Sequence, residues 1–383
     1  MIKYVLGVVS FIVVGFCFSG CQSKRPAIVP PKIVIPAYQQ PQRSEKSIVI
    51  VLIHGTILPL PSFTCTRKSL WRYLFDNEDF DKSWYDLYIK EMRRNSFLKY
   101  QPNGPRGLCL VGRKSSLAAQ LSACFFDDFY KKSLPGAKVY CYTFGWSGRL
   151  SQRHRMQSAC DLYQQLTREL SVFDRQNTEV ILVGHSHGGN VILNLARAEK
   201  QYKDGLSIDR AVLLGMPVQS ETEKFCQHGM FKKIYHCYSS GDNVQKIDFI
   251  STKDNYSQRR FSYAPAIGDV GKMTQIELRF GSYMPGHGEL WLLWGKDNGM
   301  YRKKLPIYPL PFFFFLPEMI KHLEQKVDHP TDLLVTVDQA KHAYTITCCD
   351  KECGGAASPL VVTLDKKPLQ PYIKTVLAYE GIA

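Results

Sequence analysis

Residues 178–190, Thr-Glu-Val-Ile-Leu-Val-Gly-His-Ser-His-Gly-Gly-Asn, constrain the fold more than any other stretch of the chain. The run 180–183 is β-branched and aliphatic, as in a strand buried on both faces, and residues 190–200 carry apolar side chains at helical spacing. Between them stands Gly184-His185-Ser186-His187-Gly188. A chain that passes from strand to helix in so few residues turns sharply, and glycines at 184 and 188 keep Cβ atoms out of the turn. The G-x-S-x-G spacing is weak evidence alone, since at about 7% glycine it arises by chance in about one chain in ten of this length. The flanking strand and helix give it weight.

Such an elbow holds a serine hydroxyl clear of the backbone, where a base can reach it. Acyl-transfer chemistry at Ser186 then needs an oxyanion hole, a base and a group that orients the base. Residues 47–53 form a continuous apolar strand that ends in His54-Gly55-Thr56. A glycine there lets the loop bend so that the Thr56 N–H becomes one oxyanion donor. The His187 N–H, at the start of the helix after Ser186, is the second and gains from the helix dipole. Two further strands follow at 208–214 and 233–238, the latter ending in Ser239-Ser240-Gly241-Asp242-Asn243. Asp242 is the acid expected to orient the base, with Asp248 in reserve; an Asx-turn is the plainer reading of Asp242. The alternating segment 272–280 leads into Met284-Pro285-Gly286-His287-Gly288-Glu289, where glycines on both sides free His287 to enter a crowded site as the base. His236 lies inside a strand, and His322 and His329 lie near a later helix, so these read as packed or solvated histidines.

With Ser186, Asp242 and His287 in that order at successive strand ends, residues 46–328 resemble the α/β-hydrolase superfamily, and within it the lipase-like esterases. The resemblance implies a mostly parallel, twisted sheet flanked by helices on both faces, with the site at the strand carboxyl ends. It implies Ser186, Asp242 and His287 as catalytic residues and Thr56 and His187 as oxyanion donors. His54, Gly55, Gly184 and Gly188 are then the supporting loops, and Gly145-Trp146-Ser147-Gly148 falls at another functional strand end. Two features depart from that pattern. An insertion at 57–136 contains an amphipathic stretch at 117–130 and aromatics at Trp71, Tyr73, Phe75, Trp84 and Tyr88; it reads equally as a cap over the site or as added core packing. After a last helix at 317–327, a β-rich tail (333–337, 343–348, 360–364 and 372–378) reads as an added strand layer.

The first twenty residues hold one early lysine, Lys3, and then an uncharged apolar run ending in Phe18-Ser19-Gly20-Cys21. That fits a secretory h-region, and the small residues before Cys21 resemble a bacterial lipoprotein signal in which Cys21 is lipidated. Phe18 stands where leucine is usual; an uncleaved anchor is the alternative. Prolines at 26, 30, 31, 36 and 41 make residues 22–47 an extended tether. The expected organisation is a signal and anchor at 1–21, a tether at 22–47, a hydrolase domain at 48–328 and an extension at 329–383.

The net charge of +15, with local clusters at Arg302-Lys303-Lys304 and Arg259-Arg260, suits either an ordinary solvated surface or anionic head groups. No nucleic-acid motif accompanies it. The run Phe312-Phe313-Phe314-Phe315 reads as buried support for the last helix, or as an interfacial aromatic patch. Ten cysteines follow Cys21; Cys348-Cys349 and Cys353 lack a second pair at zinc spacing, so disulfides or free thiols are expected rather than metal. Neither cofactor nor metal is called for. The expectation is a membrane-anchored, envelope-located serine hydrolase acting on a carboxylic ester, plausibly of a lipid. A thioesterase or amidase with the same residues, or a non-catalytic lipoprotein that binds a partner on a hydrolase scaffold, are the alternatives. Oligomeric state stays open.

Overall fold

The computed structural model describes residues 35, 46–56, 101–248, 257–262, 272–291, 310–326, 332–351 and 359–379. Cys21, the tether apart from Ile35, Lys46 and Ser47, the aromatics of 71–88, His329 and the 302–304 basic cluster lie outside them. One ten-stranded sheet organises the rest. Its strands are β1 (Ser47–Ile53), β2 (Gly107–Leu110), β3 (Lys138–Gly145), β4 (Thr178–His185), β5 (Ile208–Leu214), β6 (Phe231–Tyr238), β7 (Met273–Phe280), β8 (Asp332–Gln339), β9 (Ala343–Asp350) and β10 (Leu360–Asp365). They lie in the order β10-β9-β8-β7-β6-β5-β4-β1-β3-β2. The seven from β3 to β8 in that order pair in parallel, while β2, β9 and β10 pair antiparallel at the two edges. The fold is α/β, a mostly parallel sheet flanked by helices, as the strand pattern implied.

Parallel strands need both faces covered, and alternate side chains go to opposite layers. Ile48, Ile50 and Leu52 of β1 face a core closed by helices α1 (Leu117–Ser133), α4 (Leu316–Lys326) and α5 (Gln370–Tyr379). Val49, Val51 and Ile53 face the opposite core, closed by α2 (Gln152–Leu170) and α3 (His187–Tyr202). Phe312, Phe314 and Phe315 are fully buried in the first core, so for these the aromatic run is internal support. Phe314 packs on Phe125 of α1 at 4.8 Å between ring centroids. The amphipathic stretch at 117–130 is thus a crossover helix lying on the sheet, capped by Ser116, whose hydroxyl accepts the Ala119 N–H. That part of the insertion packs into the core.

The tail differs from expectation in two respects. Its strands continue the main sheet through the β7–β8 pairing and do not form a second layer. Residues 372–378 belong to a helix: Tyr372 and Val376, four apart, are the buried positions, a period of 3.6 that the β-branched Ile373, Thr375 and Val376 concealed. Among the described residues eight cysteines are free thiols, and no helix is long and apolar enough to cross a membrane.

Candidate active site

The loops that leave the carboxyl ends of β1, β3, β4, β6 and β7 converge on Ser186. Ser186 has φ 52° and ψ −130°, a conformation that L-residues adopt only where surrounding structure enforces it. The enforcement is visible. Its N–H donates to the Leu214 carbonyl of β5 at 2.9 Å. A Cβ at Gly188 would collide with the Ile53 carbonyl oxygen and lie 2.7 Å from that of His54, so the start of α3 sits directly on the end of β1. At Gly55 a Cβ would lie 2.6 Å from Ser186 Cβ. These glycines are needed for close approach.

The structure brings Ser186, His287 and Asp242 into one hydrogen-bonded chain. Ser186 Oγ lies 2.8 Å from His287 Nε2, and His287 Nδ1 lies 2.7 Å from Asp242 Oδ2. Asp242 is completely buried, and its other oxygen accepts the backbone N–H groups of Val244 and Gln245 at 2.9 and 3.3 Å. The Asx-turn reading therefore holds as well: one oxygen shapes the turn while the other meets the histidine. With Asp242 an acceptor on both oxygens, His287 carries its proton on Nδ1 and presents a bare Nε2 to the serine hydroxyl. The loop that carries His287 is fastened by the buried Glu289, which accepts the Gly286 N–H and the Tyr283 hydroxyl, the latter at 2.8 Å. Burial pushes the Glu289 carboxyl above the usual range.

Three more histidines surround the serine, all buried and all held below the ordinary imidazole range by desolvation. His54, brought down to about 4, accepts the Trp146 N–H at 3.2 Å on Nε2 and donates from Nδ1 to the Gly55 carbonyl at 2.8 Å. Trp146 stacks on its ring at 5.7 Å and donates its indole N–H to the His54 carbonyl. The His54-Gly55-Thr56 turn is thereby rigid. His185 donates Nε2–H to the His287 carbonyl at 2.8 Å and stacks on Trp291. His187 donates Nε2–H to Asp248 at 3.0 Å, and Asp248 in turn accepts Gln219 at 2.7 Å. Asp248, the reserve acid, is committed to His187 and not to His287. Beyond Gln219 lies Arg155, fully buried and bonded to the Gln219 oxygen at 3.0 Å. Nothing in the sequence singled out His185, Gln219 or Arg155; only the fact that an arginine sits where α2 turns inward could have drawn attention to it.

His236 lies in β6 against Phe261 and is packed, with burial bringing it down to about 4. His322 lies on α4, bonded to the Glu318 carbonyl. His187, the first residue of α3, has a backbone N–H that no helical carbonyl can accept. Thr56 follows Gly55 and has a buried hydroxyl with no partner. No cluster of three or more metal-ligating side chains exists among the described residues.

No family model matches the chain, and no curated protein matches it. Among solved structures, it is similar to a candidate cell surface hydrolase from Lactobacillus plantarum WCFS1 at 14% identity, over 77% of this chain and 83% of that one, with a TM-score of 0.24. It is similar to a type II thioesterase from the yersiniabactin NRPS/PKS biosynthetic pathway at 12% identity, over 76% of this chain and 95% of that one, with a TM-score of 0.23.

Proposed function

We propose that the protein is a serine hydrolase that cleaves a carboxylic ester through an acyl-enzyme. The observation that carries this reading is the continuous chain Ser186 Oγ to His287 Nε2 at 2.8 Å and His287 Nδ1 to Asp242 Oδ2 at 2.7 Å, built on a serine at positive φ. In the proposed cycle His287 takes the Ser186 proton as the oxygen attacks the ester carbonyl carbon, and Asp242 stabilises the imidazolium. The N–H groups of Thr56 and His187 hold the resulting oxyanion; that of Ser186 is already spent on Leu214. Collapse breaks the carbon–oxygen bond, His287 returns the proton to the departing alcohol, and water, deprotonated by His287, releases the acid.

An apolar acyl substrate is the reading for the remaining specificity. Val244 and Met284, two of five large apolar side chains exposed among the described residues, are 37% and 47% exposed and belong to the loops that carry Asp242 and His287. We further read residues 1–21 as a lipoprotein signal with Cys21 lipidated, placing the hydrolase at a bacterial envelope membrane. The test is covalent labelling by a fluorophosphonate probe. Labelling lost in Ser186→Ala supports the reading, and labelling that persists there or moves to Ser147 or Ser240 overturns it. An ester series separates substrates: at about 0.8 kcal/mol per buried methylene, efficiency should climb about fourfold per carbon until the pocket fills. Highest efficiency on acetate would refute the lipid assignment. For the anchor, Cys21→Ser should leave unprocessed or soluble protein.

A further inference from the structure

The strands after α4 have no role in the proposed chemistry, yet two cords run from them to the turn that bears Asp242. The first starts at Lys351, which follows β9. Its ammonium donates to Glu277 Oε2 and to the Tyr238 hydroxyl at 2.9 Å, lying over the Tyr238 ring at 5.2 Å from its centroid. Glu277, in the middle of β7 opposite Tyr238, takes the Ser240 hydroxyl on its other oxygen at 2.6 Å. Ser240 is the second residue of a tight turn closed by the Asp242 N–H to the Ser239 carbonyl at 3.1 Å. The second cord uses neighbouring arginines. Arg259 donates to the Asp242 carbonyl at 2.6 Å, and Arg260 pairs with Asp332 at the start of β8. Asp332 in turn accepts the Lys351 N–H through its carbonyl at 3.2 Å. Both cords end at the same place in the extension.

We propose that the C-terminal strands are a working part of the active site, with Lys351, acting through Glu277 and Ser240, as a positioning residue for Asp242; this rests on the hydrolase reading above. Three facts carry it. Ser240 is exposed, and its hydroxyl ties the turn to the Glu277 oxygen at 2.6 Å. Glu277 is buried, and despite that desolvation Lys351 and Ser240 keep its carboxyl below the ordinary range, so it is charged and strongly accepting. Gly241, next in the turn, has the Met284 and Pro285 carbonyls where a Cβ would stand, so a shift of the turn presses directly on the loop of His287. The groups around the pair are otherwise His185 from β4, His187 from α3, Glu289 from the histidine's own loop and Arg259, all already bonded.

The test compares Lys351→Met, Lys351→Arg and Ser240→Ala in the full chain, with Lys366→Met as a control that removes a lysine bonded within the extension to the Ala340 carbonyl. In Lys351→Met, kcat should fall about tenfold with KM within about twofold. A loosened Asp242 stabilises the imidazolium less, so the acid limb of the pH–rate profile should move to lower pH by about half a unit or more. Lys351→Arg should restore both. Ser240→Ala cuts the same cord at its exposed end and should shift the limb in the same direction even if Lys351→Met fails to fold. Lys366→Met should lower stability and leave the limb in place. A second readout needs no turnover: the His287 titration followed by proton NMR, together with the downfield Nδ1–H resonance. If the wild-type protein neither labels nor turns over, the hydrolase reading falls, while the NMR titration still decides the coupling. An unchanged His287 titration in both Lys351→Met and Ser240→Ala overturns the proposal.

Discussion

His187 Nε2 donates to Asp248 at 3.0 Å, while His287, on the other side of Ser186, takes Asp242 at 2.7 Å. Two histidine–carboxylate pairs thus flank one serine, and only one of them reaches its hydroxyl. Asp242→Asn should keep the fold and cost about 10⁴ in turnover by favouring the wrong histidine tautomer. Asp248→Asn removes the carboxylate that most favours the charge of the buried Arg155, ahead of Glu221, and should cost about 3 kcal/mol of stability with turnover held within about tenfold. Thermal melts and kinetics on both proteins check this. The reverse ranking of turnover losses would exchange the roles of the two acids.

Gly55→Ala should fold and yet lose most of its activity. The new Cβ would stand 2.6 Å from Ser186 Cβ, and the turn cannot yield because His54 and Trp146 lock it. Displacing the Thr56 N–H should cost about 10²-fold to 10³-fold in kcat, the loss that follows removal of one oxyanion donor. Circular dichroism with steady-state kinetics distinguishes this from unfolding.

Stability should fall with pH between about 6.5 and 4, well before the carboxylates protonate. His54, His185, His187 and His236 are all depressed by burial, so below the unfolded value near 6.5 the unfolded chain binds protons the native state refuses. Each contributes a slope of up to about 1.4 kcal/mol per pH unit in that window. His236→Gln, outside the Ser186–His287–Asp242 chain, should reduce the slope by one proton; a slope unchanged in denaturant titrations across that range would show that His236 is charged in the native state.

At lower pH a different group takes over. Desolvation raises the Glu324 carboxyl, but two hydrogen bonds from Arg210, at 2.9 and 2.7 Å, and one from Tyr235 outweigh it and bring it down to about 2. The stabilisation is present above the unfolded value near 4.3 and disappears as pH falls toward 2; with the pair partly solvated it amounts to roughly 2 kcal/mol. Glu324→Gln should therefore destabilise the protein at pH 7 and flatten acid unfolding below about pH 4. Parallel acid titrations of the two proteins would detect the difference.

The elbow, the His54-Gly55 turn and the loops of Asp242 and His287 were legible because each signal is local: an apolar strand, then glycine, then a polar side chain within a few residues. What lay hidden depends on separation. Asp248 meets His187 across 61 residues and Lys351 meets Glu277 across 74, and no periodicity announces such pairs. Residues 372–378 were misread because β-branched side chains imitate a strand wherever the helical partner face is unknown. The same ignorance left residues 117–130 poised between cap and core until Phe125 was seen against Phe314 and Tyr372.

Tyr372 of α5 donates its hydroxyl to Asp128 of α1 at 2.5 Å, across 244 residues of sequence. A ribosome adding about 5 to 20 residues per second needs roughly 12 to 50 seconds to make that stretch. Throughout that interval α1 lacks its Tyr372 partner, even after Phe314 has been made and packs on Phe125, and part of an oily surface stays open on the growing chain. Folding cannot close until α5 emerges, so a nonsense codon at position 372 should send the product to aggregation or proteolysis with every residue of the candidate site intact.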